Sequence, residues 1–209
     1  MASQFKRRDV IAIVVTALTL LVVVMLPALG RAKQKAARIS CVSNLKHIGL
    51  AFRIYAHDNV GVCPMNVDSN DPSIRNDALA GRMFRIFQVM SNELSVPKTV
   101  VCPADNRSAA VDWPALTNSN LSYFVGLDAV DARPNMLLSG DRNWMRDGQQ
   151  LSGVVELGSA TNLTYSEEMH RSNGNIGLAD GSVQQVTMKL FLQQLANSGD
   201  ATNRLVFPQ

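Results

Sequence analysis

The sequence contains few charged residues, and this shortage limits the kinds of protein it can encode. Lys, Arg, Asp and Glu make up 18% of its 209 residues, against ~25% in an average soluble domain. The formal net charge is only +3, and no basic stripe is interleaved with aromatic residues, so nucleic acid is not expected as a partner. One domain plus a membrane anchor fits this length, since a typical domain takes roughly 100–200 residues.

Cysteine is also scarce. Cys41, Cys63 and Cys102 lack the close paired spacing of zinc-binding motifs, so neither a metal site nor a cofactor is expected. In an oxidising compartment Cys63 and Cys102, each followed by proline, are the candidates for one disulfide bridge, which leaves Cys41 free. Three buried thiols are the alternative.

Signatures of catalysis are missing as well. The chain has no Gly-x-Ser-x-Gly, phosphate loop or His-Glu-x-x-His, so we do not expect an enzyme. His170 follows Glu167 and Glu168 and precedes Asp180, which makes a metal or acid–base site one hypothesis. The other hypothesis, which we favour, is that His170 braces a hairpin whose turn contains Asp180.

Asp141 and Asp147 form a second acidic group, which could be either a metal site or a turn. Asp141 and Asp147 have Gly140 and Gly148 beside them, and carboxylates on flexible backbone suit Ca²⁺. A plain turn explains the same residues without an ion, and we prefer that interpretation.

One apolar stretch near the N-terminus is long enough to cross a bilayer. Residues 10–30 include no charged side chain, and a helix of that length spans about 30 Å, the thickness of the hydrocarbon core. The alternative is a cleaved signal peptide ending at Ala28-Leu29-Gly30, but signal-peptide apolar cores run only about 7–15 residues. Basic residues flank the stretch on both sides, so charge alone does not decide its orientation.

The rest of the chain predicts an α+β fold, with the long N-terminal helix packed on a small antiparallel sheet. Apolar residues recur every three or four positions to Tyr55, and no proline interrupts 31–59, so the helix continues as an amphipathic stem. Asp180-Gly181 predicts a type I′ hairpin in which Leu178 faces Val183. The predicted later helices are 78–94 and 189–197, and the predicted strands are 99–102, 121–127, 135–139, 153–157, 162–165, 175–179, 182–186 and 203–207.

Several short motifs, in a fixed order, carry a resemblance to a known family. They are Leu26-Pro27-Ala28-Leu29, Arg31-Ala32-Lys33, Ser40-Cys41-Val42-Ser43-Asn44-Leu45-Lys46, Tyr55-Ala56-His57-Asp58-Asn59, Gly140-Asp141-Arg142-Asn143, His170 followed after nine residues by Asp180-Gly181, and the ending 202–208. With these motifs the chain resembles the prepilin-like pseudopilins of bacterial type II secretion. Within that family it is most similar to a branch common in planctomycetes and verrucomicrobia.

This resemblance implies a pilin-like fold and a structural role related to type II secretion or type IV pilus assembly. It implies that the motif residues are structural: Gly140, Asp141, Arg142, Asn143, His170, Asp180 and Gly181. The implied location is the bacterial inner membrane, and the implied partners are membrane lipid and other pilin-like subunits that pack through the N-terminal helix.

The N-terminus departs from the family pattern. In the family a prepilin peptidase cuts after a glycine, but here Gln4 stands in that place and the cations of Lys6-Arg7-Arg8 follow Phe5. Because each cation costs about 2.5–3.5 kcal/mol at the bilayer centre, these residues must stay at the interface. We therefore expect residues 1–9 to stay cytoplasmic, 10–30 to span the membrane, 31–59 to form the stem, and 60–209 to form a periplasmic head.

Three functional hypotheses follow from this pattern. The first is a structural subunit of a pilin-like assembly. The second is a static, membrane-anchored binding or accessory protein that uses the same fold without polymerising, which the lost cleavage signature favours. The third, an exported hydrolase using His170 and Asp180, has the least support.

The N-terminus gives the first prediction. Because Gln4 replaces the glycine, we expect mass spectrometry of the protein extracted from membranes to find residues 1–9 still attached. A chain that begins at a methylated Phe5 would contradict this and would favour processing into a filament.

Overall fold

In the computed structural model, residues 7–67, 74–158 and 162–209 are described, and they form an α+β arrangement. The chain divides into two compact units, Met1–Ala36 and Ala37–Gln209. The second unit begins inside the predicted stem, so residues 37–58 belong to the head rather than to a separate segment. Gln4, Phe5 and Lys6, on which the processing prediction depends, lie outside the described residues.

Helix α1 is a single helix over Arg7–Asp58, as its uninterrupted periodicity predicts. Every described side chain between residues 10 and 30 is exposed, and the most apolar stretch has a mean hydropathy of 2.9. Soluble monomers rarely expose contiguous apolar patches above a few hundred Å². By length and composition, this part of α1 is therefore able to cross a membrane.

The head contains four further helices and nine strands among the described residues. The helices are α2 Ile74–Leu79, α3 Phe84–Val89, α4 Ser91–Leu94 and α5 Met188–Asn197, with short 3₁₀ helices at Pro64–Asn66, Pro97–Val100 and Asn118–Asn120. The strands are β1 Tyr123–Gly126, β2 Leu137–Asp141, β3 Trp144–Arg146, β4 Gln149–Gln150, β5 Gly153–Glu156, β6 Leu163–Tyr165, β7 Gly174–Leu178, β8 Val183–Val186 and β9 Arg204–Phe207.

An antiparallel sheet of six strands organises the head. Its order is β5-β9-β1-β2-β7-β8, and a smaller antiparallel sheet has the order β4-β3-β6. Strands β1, β2 and β7 are buried along their whole length. Strands buried in this way must be covered on both faces, and two separate hydrophobic cores provide that cover.

The alternation of side chains along the strands separates the two cores, because neighbouring residues of a strand point to opposite faces. Tyr123 and Val125 of β1 pack with the α1 stripe in one core, while Phe124 between them packs in the other. The α1 stripe consists of Cys41, Leu45, Ile48, Ala51, Phe52 and Ala56, all nearly inaccessible to solvent. The second core contains Trp144, Phe191 and Leu195, the last two from α5.

Two local predictions are wrong. The predicted helix 78–94 is broken into α2, α3 and α4. Gly81, two residues after α2, takes a φ of +84° and separates α2 from α3, and Met90, with a ψ of +21°, separates α3 from α4. The predicted strand 99–102 begins as the 3₁₀ helix Pro97–Val100. Pro97 fixes φ near the helical value and lacks an N–H for a sheet ladder, which favours a helical first turn.

The hairpin geometry also differs from the prediction. Between β7 and β8 only Gly181 has a positive φ, +83°, and Val183 pairs with Gly177 instead of facing Leu178. Leu178 N donates to Ser182 O at 2.9 Å, which leaves a loop of three residues, 179–181, with glycine in the left-handed position, and not a type I′ turn. The two-residue turn with both φ values positive is Asp147-Gly148, at +52° and +79°, where β3 meets β4.

A matched pair on α5 tests the second core. Phe191 is fully buried with its ring centroid 4.0 Å from that of Trp144, whereas its neighbour Leu190 is 49% exposed. We expect Phe191→Ala to lower the free energy of unfolding by about 3–5 kcal/mol. Leu190→Ala, the control, should change it by less than about 1 kcal/mol because little area is uncovered. Urea unfolding followed by Trp fluorescence measures both, and equal effects would contradict this packing.

Candidate functional site

The site centres on a disulfide between α1 and the segment that follows the 3₁₀ helix Pro97–Val100. Cys41 pairs with Cys102, their Cα atoms are 5.0 Å apart, and both residues are 0% exposed. The expected pairing of Cys63 with Cys102 is therefore wrong, and Cys63 is a free, buried thiol.

The part of α1 against which Cys63 packs explains the difference. It lies beside Phe52 and Ala56, and Phe52 is eleven residues beyond Cys41, roughly 16 Å along a helix. A disulfide requires Cα atoms about 4.4–6.8 Å apart, so one residue near Cys41 cannot also pair with Cys63. Burial, and then the charge of Asp131, raises the pKa of the Cys63 thiol to about 11. This thiol is protonated and inert at neutral pH.

His170 lies directly against the disulfide. Its Nε2 atom is 3.4 Å from Cys102 Sγ and 3.4 Å from Asp141 Oδ2, and its side chain is only 1% exposed. His170, Arg171 and Ser172 have successive φ values of +38°, +50° and +58°. Left-handed backbone costs roughly 1–2 kcal/mol per non-glycine residue, and a run of three persists only where the surrounding structure fixes it. This turn places the imidazole in the core.

Asp141, at the end of β2, is held by the neighbouring strand. Its Oδ2 atom accepts hydrogen bonds from the backbone N–H of Asn175 at 2.7 Å and from Asn175 Nδ2 at 2.8 Å. Asn175 Oδ1 in turn accepts from Arg38 Nε at 3.5 Å. The hydrogen bonds therefore link α1, β7 and β2, and they fix the orientation of the carboxyl group.

Burial sets the charges of this pair. It raises the pKa of Asp141 to about 7, although the two Asn175 hydrogen bonds and the charge of Arg38 oppose the rise. Burial and then Arg38 lower the pKa of His170 to about 4, against the opposing effect of Asp105. At pH 7 the imidazole is neutral, so its contact with Asp141 is not an ion pair despite the short distance.

Several polar atoms of this cluster have no hydrogen-bond partner among the described residues. They include Asp141 Oδ1, His170 Nδ1 and Asn143 Oδ1, all buried. An unsatisfied buried polar group costs about 1–3 kcal/mol. The cluster therefore keeps bonding capacity that the rest of the fold does not use.

The neighbouring residues Gly140, Arg142 and Asn143 shape the surroundings of the cluster. Arg142 donates to both carboxylate oxygens of Asp105, at 2.8 and 2.7 Å, in a buried pair. Burial tends to raise the pKa of Asp105, but hydrogen bonds from Arg142, Ser122 and Asn106 together with the charge of Arg142 hold that pKa below its usual value. A Cβ atom at Gly140 would lie 2.6 Å from the Phe124 ring, so only glycine fits there.

Asp180 and Gly181 act at a different point on α1. A Cβ atom on Gly49 would lie 3.3 Å from Gly181 Cα, and the backbone carbonyl of Asp180 accepts a hydrogen bond from Arg53 at 3.3 Å. The Asp180 carboxylate accepts from Ser182 N at 2.8 Å. The described contacts include none between His170 and Asp180, although the acid–base hypothesis requires these two side chains to be close together.

The motif of His170 and Asp180-Gly181 thus contacts the helix twice. His170 packs on the disulfide at Cys41, and Gly181 packs on Gly49, eight residues or about 12 Å further along α1. Strand β7 lies between the two contacts in the sequence. The motif consequently docks this edge of the sheet on α1.

The second acidic group does not form a joint site in the described structure. Asp141 is 0% exposed, whereas Asp147 is exposed at the tip of the β3–β4 hairpin and accepts from Asn162 Nδ2 at 3.3 Å. The interpretation as a plain turn applies to Asp147, and no calcium ligand set is assembled from these two residues among those described.

Sequence reasoning missed three residues that the site depends on. Arg38, Asp105 and Asn175 reach the cluster from three distant parts of the chain, and no local pattern marks them. The burial of Cys41 could have been predicted from the sequence, because Cys41 falls on the same helical stripe as Leu45 and Ile48. A cysteine on a buried stripe must face the core, where Cys102 also lies.

No family model, no curated protein and no solved structure matches this chain.

The raised pKa of Asp141 predicts a pH-dependent stability. Between pH 3.8 and about 7 the folded state keeps a proton that the unfolded state releases, so this residue's contribution to stability falls as the pH rises through that range. The Asp141→Asn protein has no such titration. We expect its free energy of unfolding, relative to the wild type, to increase from pH 4 to pH 8.

Urea unfolding of both proteins at several pH values provides the measurement. Both keep His170, whose lowered pKa gives a slope of opposite sign, so the histidine contribution largely cancels in the difference. A difference that stays constant or decreases with pH would contradict the account of Asp141.

Proposed function

We propose that this chain is a membrane-anchored, non-enzymatic structural subunit with a pilin-like fold, related to type II secretion or type IV pilus assembly. It keeps its basic N-terminus in the cytoplasm and is not processed by prepilin peptidase. The head lies in the periplasm of a bacterium, and the anchor lies in the inner membrane.

The observation that carries this proposal is the different cover on the two parts of α1. From residue 10 to 30 its described side chains are exposed, and almost all of them are apolar. From Cys41 to Ala56 a single stripe is buried in the head. A helix that is apolar all round suits lipid or the interior of a helix bundle. Lipid together with like helices of other subunits satisfies this requirement.

The buried motif supports a structural rather than a catalytic role. Asp141 is 0% exposed and the His170 side chain 1% exposed, so a substrate has no direct access to either. Asp180, the other residue of the hydrolase hypothesis, contacts Arg53 and Ser182 instead. The contacts of the motif fasten sheet to helix.

The alternative is a static anchored protein that binds a partner with its head. Arg7 and Arg8 at the start of α1 favour it, because the apolar N-terminus of processed subunits is replaced by cations. The two proposals differ in one respect: only a structural subunit has its helices packed against those of other copies in the membrane.

Cysteine cross-linking in native membranes separates the two. In a Cys63→Ala background we expect Leu18→Cys, on the exposed apolar part of α1, to give disulfide-linked dimers upon mild oxidation, since each chain then has one free thiol. Val111→Cys, 95% exposed on the head, is the control and should stay monomeric.

The result to look for is the contrast between the two positions. If neither position gives cross-links, the result favours the static anchor and contradicts the subunit proposal. Equal cross-linking at both positions indicates random collision and also removes the support for helix packing.

A further inference from the structure

Two cysteines, a histidine and a carboxylate that are far apart in sequence converge in the core of the head. The Sγ atoms of Cys41 and Cys102 and the ring nitrogen of His170 all lie within 4.8 Å of one another. Asp141 Oδ2 lies 3.4 Å from His170 Nε2. The wide spacing of the cysteines in the sequence predicts no metal site, but the fold removes that separation.

Two distances from His170 match those between tetrahedral zinc ligands. Bonds of about 2.3 Å to sulfur and about 2.0–2.1 Å to nitrogen or oxygen place sulfur and nitrogen ligands about 3.5 Å apart, and nitrogen and oxygen about 3.4 Å apart. The observed distances from His170 Nε2 are 3.4 Å to Cys102 Sγ and 3.4 Å to Asp141 Oδ2. The two sulfur atoms, bonded in the disulfide, must move apart, and Asp141, which lies outside the group of three mutually close ligands, must shift toward them.

Charge and ligand type favour the same ion. Two thiolates and the Asp141 carboxylate carry three negative charges, which Zn²⁺ and the guanidinium of Arg38 balance. Thiolate and imidazole ligands select zinc over the hard cations calcium and magnesium. The two Asn175 hydrogen bonds to Asp141 Oδ2 orient the carboxylate, as outer partners of metal ligands commonly do.

We propose that this cluster is a redox-gated zinc site, in which Cys41, Cys102, His170 and Asp141 bind one Zn²⁺ when the disulfide is reduced. A phosphine reductant takes oxygen from water to become its oxide and leaves two thiols; Zn²⁺ then displaces both thiol protons. Disulfide and metal exclude each other, since the same two sulfur atoms form both. Oxidation therefore releases the ion.

The test uses the full-length chain in detergent, with Co²⁺ as the spectroscopic probe. After phosphine reduction we expect one Co²⁺ per chain, a thiolate-to-metal charge-transfer band, the visible bands of tetrahedral Co²⁺, and displacement of Co²⁺ by Zn²⁺. The oxidised chain should show none of these. Cys63→Ser, which removes the cysteine outside the cluster, is the matched control and should bind as the wild type does.

Variants of the ligands identify the site. Cys41→Ser and Cys102→Ser should abolish the charge-transfer band. His170→Ala and Asp141→Ala should each weaken binding at least about tenfold, since loss of even an outer partner typically costs 10–100-fold. A band that disappears in Cys63→Ser, or that survives in Cys41→Ser, would overturn the assignment.

To follow any effect of reduction on the fold, near-ultraviolet circular dichroism of the buried Trp144 is recorded in parallel. If the reduced chain keeps its native signal but gives no thiolate band with excess Co²⁺, the proposal is wrong. If the reduced chain loses that signal, Zn²⁺ should restore it, because a metal that binds only the folded state stabilises that state. Failure of Zn²⁺ to restore the signal would equally overturn the proposal.

Discussion

The bond between Cys41 and Cys102 joins helix α1 to the segment after the 3₁₀ helix Pro97–Val100, inside the core that contains the α1 stripe, and much of the head's order depends on it. It closes a loop of 61 residues, which the chain-entropy model values at about 4 kcal/mol. A domain of this size is stable by only about 5–15 kcal/mol in total. This single link therefore contributes a large share of the free energy that holds the helix on the sheet. The contact between Gly49 and Gly181 is a second point of attachment and fixes the direction in which the helix runs.

Polar groups are buried beside the disulfide, and neighbouring residues compensate only part of the cost. His170 and Asp141 lose hydration when buried, which shifts their pKa values toward the neutral forms. Asn175 and Arg38 compensate part of that cost for Asp141. The left-handed backbone at His170 adds a further cost. A structure that accepts these costs next to two sulfur atoms gives the cluster a role beyond filling space, and metal binding in the reduced state is one that its geometry supports.

Sequence reasoning succeeded where the pattern is local and repetitive. The period of α1, the strands near β5, β7 and β9, and helix α5 all follow from spacing alone. It failed where distant segments compete. Asp147-Gly148 and Asp180-Gly181 carry the same turn signal, and only strand register decides which adopts the two-residue turn. Cys102 had two possible partners, and the choice of Cys41 depends on which face of α1 meets the sheet.

Helix α1 is fastened to the head through Cys41. Peptide mapping without reduction, on protein alkylated while folded and again after denaturation, tests this most directly. We predict one linked peptide pair containing Cys41 and Cys102, with Cys63 alkylated only after denaturation. A linked pair containing Cys63 and Cys102, with Cys41 free, would contradict the account, since neither the helix docking nor the clustered ligands would then exist.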